Sequence, residues 1–129
     1  MQIKFTELGI NIIRYSVALT MLIHGITRIV LGGVSPFGEF LEANNLPFGV
    51  AVAWAITIYE LTGATLLLLK KFVIPLSIVF IIELLSGIIM VHFNEGWFVV
   101  GAGRNGMEYS VILIMLFISV ILTNLKKDN

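Results

Sequence analysis

From Phe72 to Met90 the chain reads FVIPLSIVFIIELLSGIIM, with Glu83 as its one charged side chain. Such a run is too long and too continuously apolar for a strand, and a membrane-spanning barrel would need shorter segments of alternating polarity. A helix crossing a bilayer satisfies its own backbone and needs about 20 apolar residues to cover roughly 30 Å of hydrocarbon. Three further runs meet that length, so spans are expected at residues 10–31, 46–69, 72–93 and 107–125. The expected fold is all-α: an integral membrane protein forming an antiparallel bundle of four transmembrane helices, one domain over residues 1–129.

Composition closes off several functions. Hydrophobic residues make up 58% of the chain and charged residues 12%, against about 45–50% and about 25% in an ordinary soluble domain. No stretch remains for a soluble catalytic domain. Eight basic and eight acidic residues balance, and no basic stripe offers itself to nucleic acid, which is excluded as a partner. Cysteine is absent, so thiolate catalysis, disulfide exchange and iron–sulfur ligation are impossible within the chain. Any redox role therefore requires a bound cofactor or another subunit. The first apolar run continues through TMLIHGITRIV without a small-residue cleavage site and carries Arg14, so a cleaved signal peptide is not expected.

The basic residues set an orientation. Lys4, Arg14, Lys70, Lys71, Lys126 and Lys127 fall at the start, between spans two and three, and at the end, while the other two connections hold only Arg28 and Arg104. By the positive-inside rule both termini and the Lys-Lys turn face the cytoplasm. The outer connections, GGVSPFGEFLEANNLPFG and NEGWFVVGAGRNG, are long for a bundle, and a lid folded over the bundle end or plain surface loops both fit them.

Polar and small residues recur at helical spacing: Thr20, His24, Thr27 and Arg28 on span one; Ala53, Thr57, Glu60, Gly63 and Ala64 on span two; Glu83, Ser86, Gly87 and Met90 on span three. Small residues in such seams serve close helix packing. Ionisable residues must instead face the interior and find partners. At about 1.5 Å per residue, His24, Glu60 and Glu83 come out near the midplane, with Arg14 reaching back to the inner interface. Arg28, His92, Arg104 and Glu108 lie towards the outer face. Each has a plain alternative: Arg28 and Glu60 as an internal ion pair, His92 as an interfacial residue, Glu108 as a helix cap. Together they form a candidate pocket.

The ordered segments IHGITRI, YELTGATLLLL, VHFNEGWFV and GMEYSVILIML resemble the DoxX family of small four-helix bacterial membrane proteins. The matching anchors are His24 with Gly25, Glu60 with Gly63, His92 with Gly96 and Trp97, and Gly106 with Glu108 and Tyr109, and Arg28 stands where the family often has Lys. Some DoxX-like chains are associated with membrane oxidation of thiosulfate with quinone as acceptor, and others with oxidative-stress complexes. The resemblance thus implies a bacterial cytoplasmic membrane and a multi-pass subunit of a quinone-linked oxidoreductase, acting with a partner redox subunit. On this expectation His24 and Glu60 exchange protons and Arg28 stabilises developing charge, while His92, Glu108, Glu83, Trp97, Arg104 and Tyr109 line the ligand site. Two other readings stand beside it. His24, Glu60, His92 and Glu108 could hold a metal, or the histidines a haem. A weak repeat, in which spans one and three run outward to a His and spans two and four return with a Glu, fits a small transporter or non-catalytic partner. A homo-oligomer is compatible with all three.

Overall fold

Gly38, Gly49 and Gly106 sit where another segment's backbone leaves no room for a side chain, and a Cβ at Gly25 would press on Leu61 and Glu60. The computed structural model describes residues 2–101 and 104–125. Lys126, Lys127 and Asn129 lie outside them, as do Ala102 and Gly103. Every regular element among the described residues is helical: α1 Gln2–Val30, α2 Val34–Ala43, α3 Gly49–Leu68, α4 Val73–Gly87, a π-helical turn Ile88–His92, the single turn α5 Phe93–Glu95, and α6 Glu108–Leu125. Four stretches are long and apolar enough to cross a membrane, Lys4–Val30, Gly49–Leu68, Val73–Glu95 and Glu108–Leu125. The first begins well before residue 10, because the polar opening QIKFTELG continues the helix without a stop signal. The chain divides into two compact units, Ala18–Lys71 and Met1–Val17 with Phe72–Asn129.

In the Ala18–Lys71 unit, the end of α1 approaches α3 through Gly25. A methyl group there would lie 3.1 Å from Leu61 Cδ2 and 3.2 Å from Glu60 Cβ. Helix α1 then stops in a left-handed turn: Gly32 has φ 65°, and the Gly33 N–H donates to the Arg28 carbonyl at 2.7 Å. Only glycine takes that conformation at little cost. The same closure ends α2 at Asn45 and α3 at Lys70, where Leu46 N–H reaches Leu41 O and Lys71 N–H reaches Leu66 O.

The connection between the first two spans is thus an ordered helix, α2, and it is fastened to α3. A Cβ at Gly49 would stand 2.1 Å from the Gly38 carbonyl oxygen, and one at Gly38 would stand 2.5 Å from Val50 Cα. The Gly49 N–H, at the start of α3, donates to Glu42 Oε1 at 3.0 Å. A carboxylate there satisfies one orphan donor and complements the positive end of the helix.

In the other unit α4 and α6 are joined by a loop and packed side by side. Val73, Ser77 and Phe80 form the buried stripe of α4, and Ser110, Leu113, Phe117 and Val120 that of α6. The Phe80 and Phe117 rings stack with centroids 5.2 Å apart and planes 17° apart. This seam lies nearer the start of span three than the expected Glu83–Met90 stripe, in which Glu83, Gly87 and Met90 are half-buried and Ser86 is exposed. Stacked aromatic area outweighs small polar side chains in deciding which stretch is covered.

A candidate functional site around Arg28 and Glu60

Helix α3 carries its expected seam intact: Ala53, Thr57, Glu60, Gly63 and Ala64 are all buried, continued by Gly49 and Leu67. Glu60 is the twelfth residue of this helix of 20, and its side chain is 1% exposed. Because α1 comes close at Gly25, the Arg28 side chain reaches the same level. Arg28 Nη2 donates to Glu60 Oε1 at 3.0 Å, and Nη1 donates to Glu60 Oε2. Nη1 also donates to Thr57 Oγ1 at 3.0 Å, while the Thr57 hydroxyl donates to the Ala53 carbonyl at 2.7 Å. The guanidinium is therefore held in its own plane by a two-pronged carboxylate and a hydroxyl whose own proton is committed to the backbone. That geometry belongs to Arg, and Lys could not reproduce it.

Phe37 closes one face. Its ring centroid is 4.7 Å from Arg28 Cζ, within reach of a cation–π attraction. The glycine turn at 32 and 33 and the fastening of α2 to α3 put the ring there. Thr57 and Glu60 take three of the guanidinium's N–H groups, and Arg carries five. The edge formed by Nε–H and the second Nη2–H faces neither partner. The Arg28 side chain is 18% exposed.

His24 does not join this cluster. It is exposed, which corrects the expectation of a buried His24–Glu60 pair. The spacing of four residues does put His24 on the Arg28 side of α1, but the buried line of that helix runs through Val17, Met21 and Gly25. His24 stands about 100° round from Gly25. Arg14, expected at the interface, is 4% exposed. Its Nε has no hydrogen-bond partner among the described residues, and its guanidinium lies 4.9 Å from the Tyr15 ring. Arg14, Met21 and Arg28 recur every seven residues, so the spacing held the signal that Arg14 shares the buried side.

The remaining candidates belong to the other unit. His92 is half-buried, and its Nδ1 lies 2.7 Å from the Asn105 carbonyl oxygen. A carbonyl only accepts, so Nδ1 carries the hydrogen of that bond. Glu108 Oε1 accepts from the Val99 and Val100 backbone amides at 2.9 and 3.0 Å, so Glu108 binds its own preceding loop. Glu83 is half-buried, and Trp97, Arg104 and Tyr109 are exposed. Among the described residues no three His, Asp or Glu side chains come together as a metal site requires.

The DoxX family model matches residues 9–93, which contain both Arg28 and Glu60, the whole of the span Gly49–Leu68 and most of the spans Lys4–Val30 and Val73–Glu95. The chain belongs to the DoxX family. No curated protein and no solved structure matches it. The DoxX match ends at Phe93, so Trp97, Gly106, Glu108 and Tyr109 lie beyond it, and the likeness of the fourth span rests on sequence resemblance. In this DoxX protein Arg28, Thr57 and Glu60 all lie inside the matched stretch and are joined by direct hydrogen bonds.

Proposed function

We propose that this DoxX protein is the membrane subunit of a quinone-linked oxidoreductase in a bacterial cytoplasmic membrane, and that Arg28 is the group that meets the ring's oxygen. The observation that carries the reading is the half-buried Arg28, oriented by the buried Glu60 and Thr57, with one donor edge left over. Replacing a buried ion pair by apolar residues of similar volume is often neutral or stabilising. The presence of the pair is better explained by use than by stability. Parallel N–H donors suit an oxygen acceptor, and Phe37 gives a planar ligand an aromatic neighbour. The residues therefore fit a quinone-like ring, which accepts electrons delivered by a partner subunit.

The roles follow from the geometry. Arg28 orients the acceptor oxygen and stabilises negative charge developing on it, a contribution strengthened by exclusion of water. Glu60 and Thr57 fix the plane of Arg28, which makes Glu60 a positioning residue.

The test uses decylubiquinone as the probe, with purified protein in nanodiscs. Wild type is expected to bind it saturably. Arg28→Lys keeps the charge against Glu60 but loses the second donor edge, and is expected to bind at least tenfold more weakly. Absence of binding to wild type, or equal binding by a folded Arg28→Lys protein, overturns the proposal.

The proposed orientation has both termini in the cytoplasm. A cysteine at Asn44 is then labelled by an impermeant thiol reagent added to intact cells, and one at Lys71 is not. Asn44 is the better position for this than Asn45, whose φ of 66° suits Asn more than Cys. Labelling at Lys71 alone reverses the orientation.

A further inference from the structure

The loop after α5 turns the usual arrangement of a loop outward. Phe98 is 53% exposed and Val100 79%, with Trp97 at 47%. Its backbone is what turns inward. Met107, Glu108 and Gly106 donate their N–H groups to the carbonyls of Gly96, Trp97 and Phe98 at 3.0, 3.0 and 3.1 Å. Glu108 Oε1 takes the Val99 and Val100 amides. The pairing is tight enough to demand glycine, since a Cβ at Gly106 would fall 2.5 Å from the Trp97 carbonyl carbon.

We infer that residues Trp97–Val100 are seated in the headgroup–acyl boundary of the bilayer, with the Glu108 carboxylate serving as the acceptor that lets this irregular backbone leave water. A loop in water can leave its amides to solvent and gains nothing from exposing three large apolar side chains together. Non-helical backbone at membrane depth has the opposite needs: its polar groups must be met by protein. Here three carbonyls and two amides are. The position agrees, because Phe93–Glu95 continue the candidate span Val73–Glu95 and the loop starts where that span ends. Trp is the side chain most at home at this level, its ring apolar and its indole N–H polar. Arg104, exposed on the returning strand of the loop, supplies a cation for lipid phosphate. A bilayer is favoured over a protein partner because five of the loop's backbone groups already have partners within the chain, and what the loop offers outward is chiefly apolar contact and one cation.

Tryptophan fluorescence tests the placement directly. The chain has two tryptophans, and Trp54→Phe leaves Trp97 as the only reporter. In phosphatidylcholine vesicles, lipid brominated near the carboxyl end of its acyl chains is expected to quench Trp97 strongly. Iodide equilibrated across both faces is expected to quench it weakly. In the Trp54→Phe, Glu108→Ala double variant, two amides lose their acceptor, and iodide quenching is expected to rise at least twofold. Strong iodide quenching of Trp54→Phe with none by brominated lipid places the loop in water and overturns the inference. Quenching by neither agent means that protein covers the loop, and overturns it as well. Unchanged quenching in the folded double variant overturns the role given to Glu108.

Discussion

Arg28→Met is expected to cost about 3–5 kcal/mol of stability, because it leaves a mid-span carboxylate without its counter-charge. Glu60 has 1% of its side chain exposed and cannot turn to water. Glu60→Gln is expected to cost less, since Arg28 lies near the end of α1 and its long side chain can move towards the interface. The Arg28→Met, Glu60→Gln double variant should lose less than the sum of the two, by well over the roughly 0.5 kcal/mol within which independent sites add. Reversible unfolding in mixed detergent and dodecyl sulfate micelles gives the three values. Additivity within that margin would show that the pair is not coupled.

The second large effect is expected at Gly49. A methyl group at that position meets the Gly38 carbonyl oxygen at 2.1 Å, Glu42 Cγ at 2.6 Å and the Glu42 backbone nitrogen at 3.0 Å, and the two backbone atoms cannot yield without moving a helix. Gly49→Ala should therefore cost about 1–3 kcal/mol or more and lift α2 off α3. Phe37 leaves Arg28 in that event, and a Glu-specific protease should cut α2 at Glu39 or Glu42 much faster. Gly9→Ala is the matched control. Nothing lies within 4 Å of a Cβ there, and in an exposed helix Ala is favoured over Gly by about 1 kcal/mol. A Gly49→Ala protein as stable and as protease-resistant as wild type would show that α2 is not held by this contact.

The spans were legible because uninterrupted apolar length leaves the backbone no alternative to a helix. The seam of α3 was legible too, since every residue in Ala53, Thr57, Glu60, Gly63 and Ala64 is either small or must leave lipid, and both demands select one face. On α1 the two demands separate. The closest approach is set by Gly25, which brings Arg28 to Glu60 and leaves His24 outside. Polarity alone could not decide between neighbours about 100° apart. Helix α2 was hidden by its length, although Pro36 in the first turn, apolar Phe37, Phe40 and Leu41, and the Asn44-Asn45 stop are its signals. The loop aromatics read as lid or pocket residues because a sequence does not show where backbone amides find acceptors. The Glu108 bond to Val99 and Val100 is made across a turn that spacing does not foretell.

The 32 residues that separate Arg28 from Glu60 also impose an order on biogenesis. The chain is made from the amino terminus, so the guanidinium enters the membrane before the carboxylate exists. Arg28, near the end of its helix, can wait at the lipid headgroups with its charge in water. Glu60, in the middle of α3, has no such resting place, and an acidic group at a helix centre costs about 2.5–3.5 kcal/mol on insertion scales. When the second span arrives, its counter-ion is already in place. The residue synthesised first is the one that can afford to be alone, and the reverse arrangement would ask the translocon to hold an unpaired charge in hydrocarbon until its partner was made.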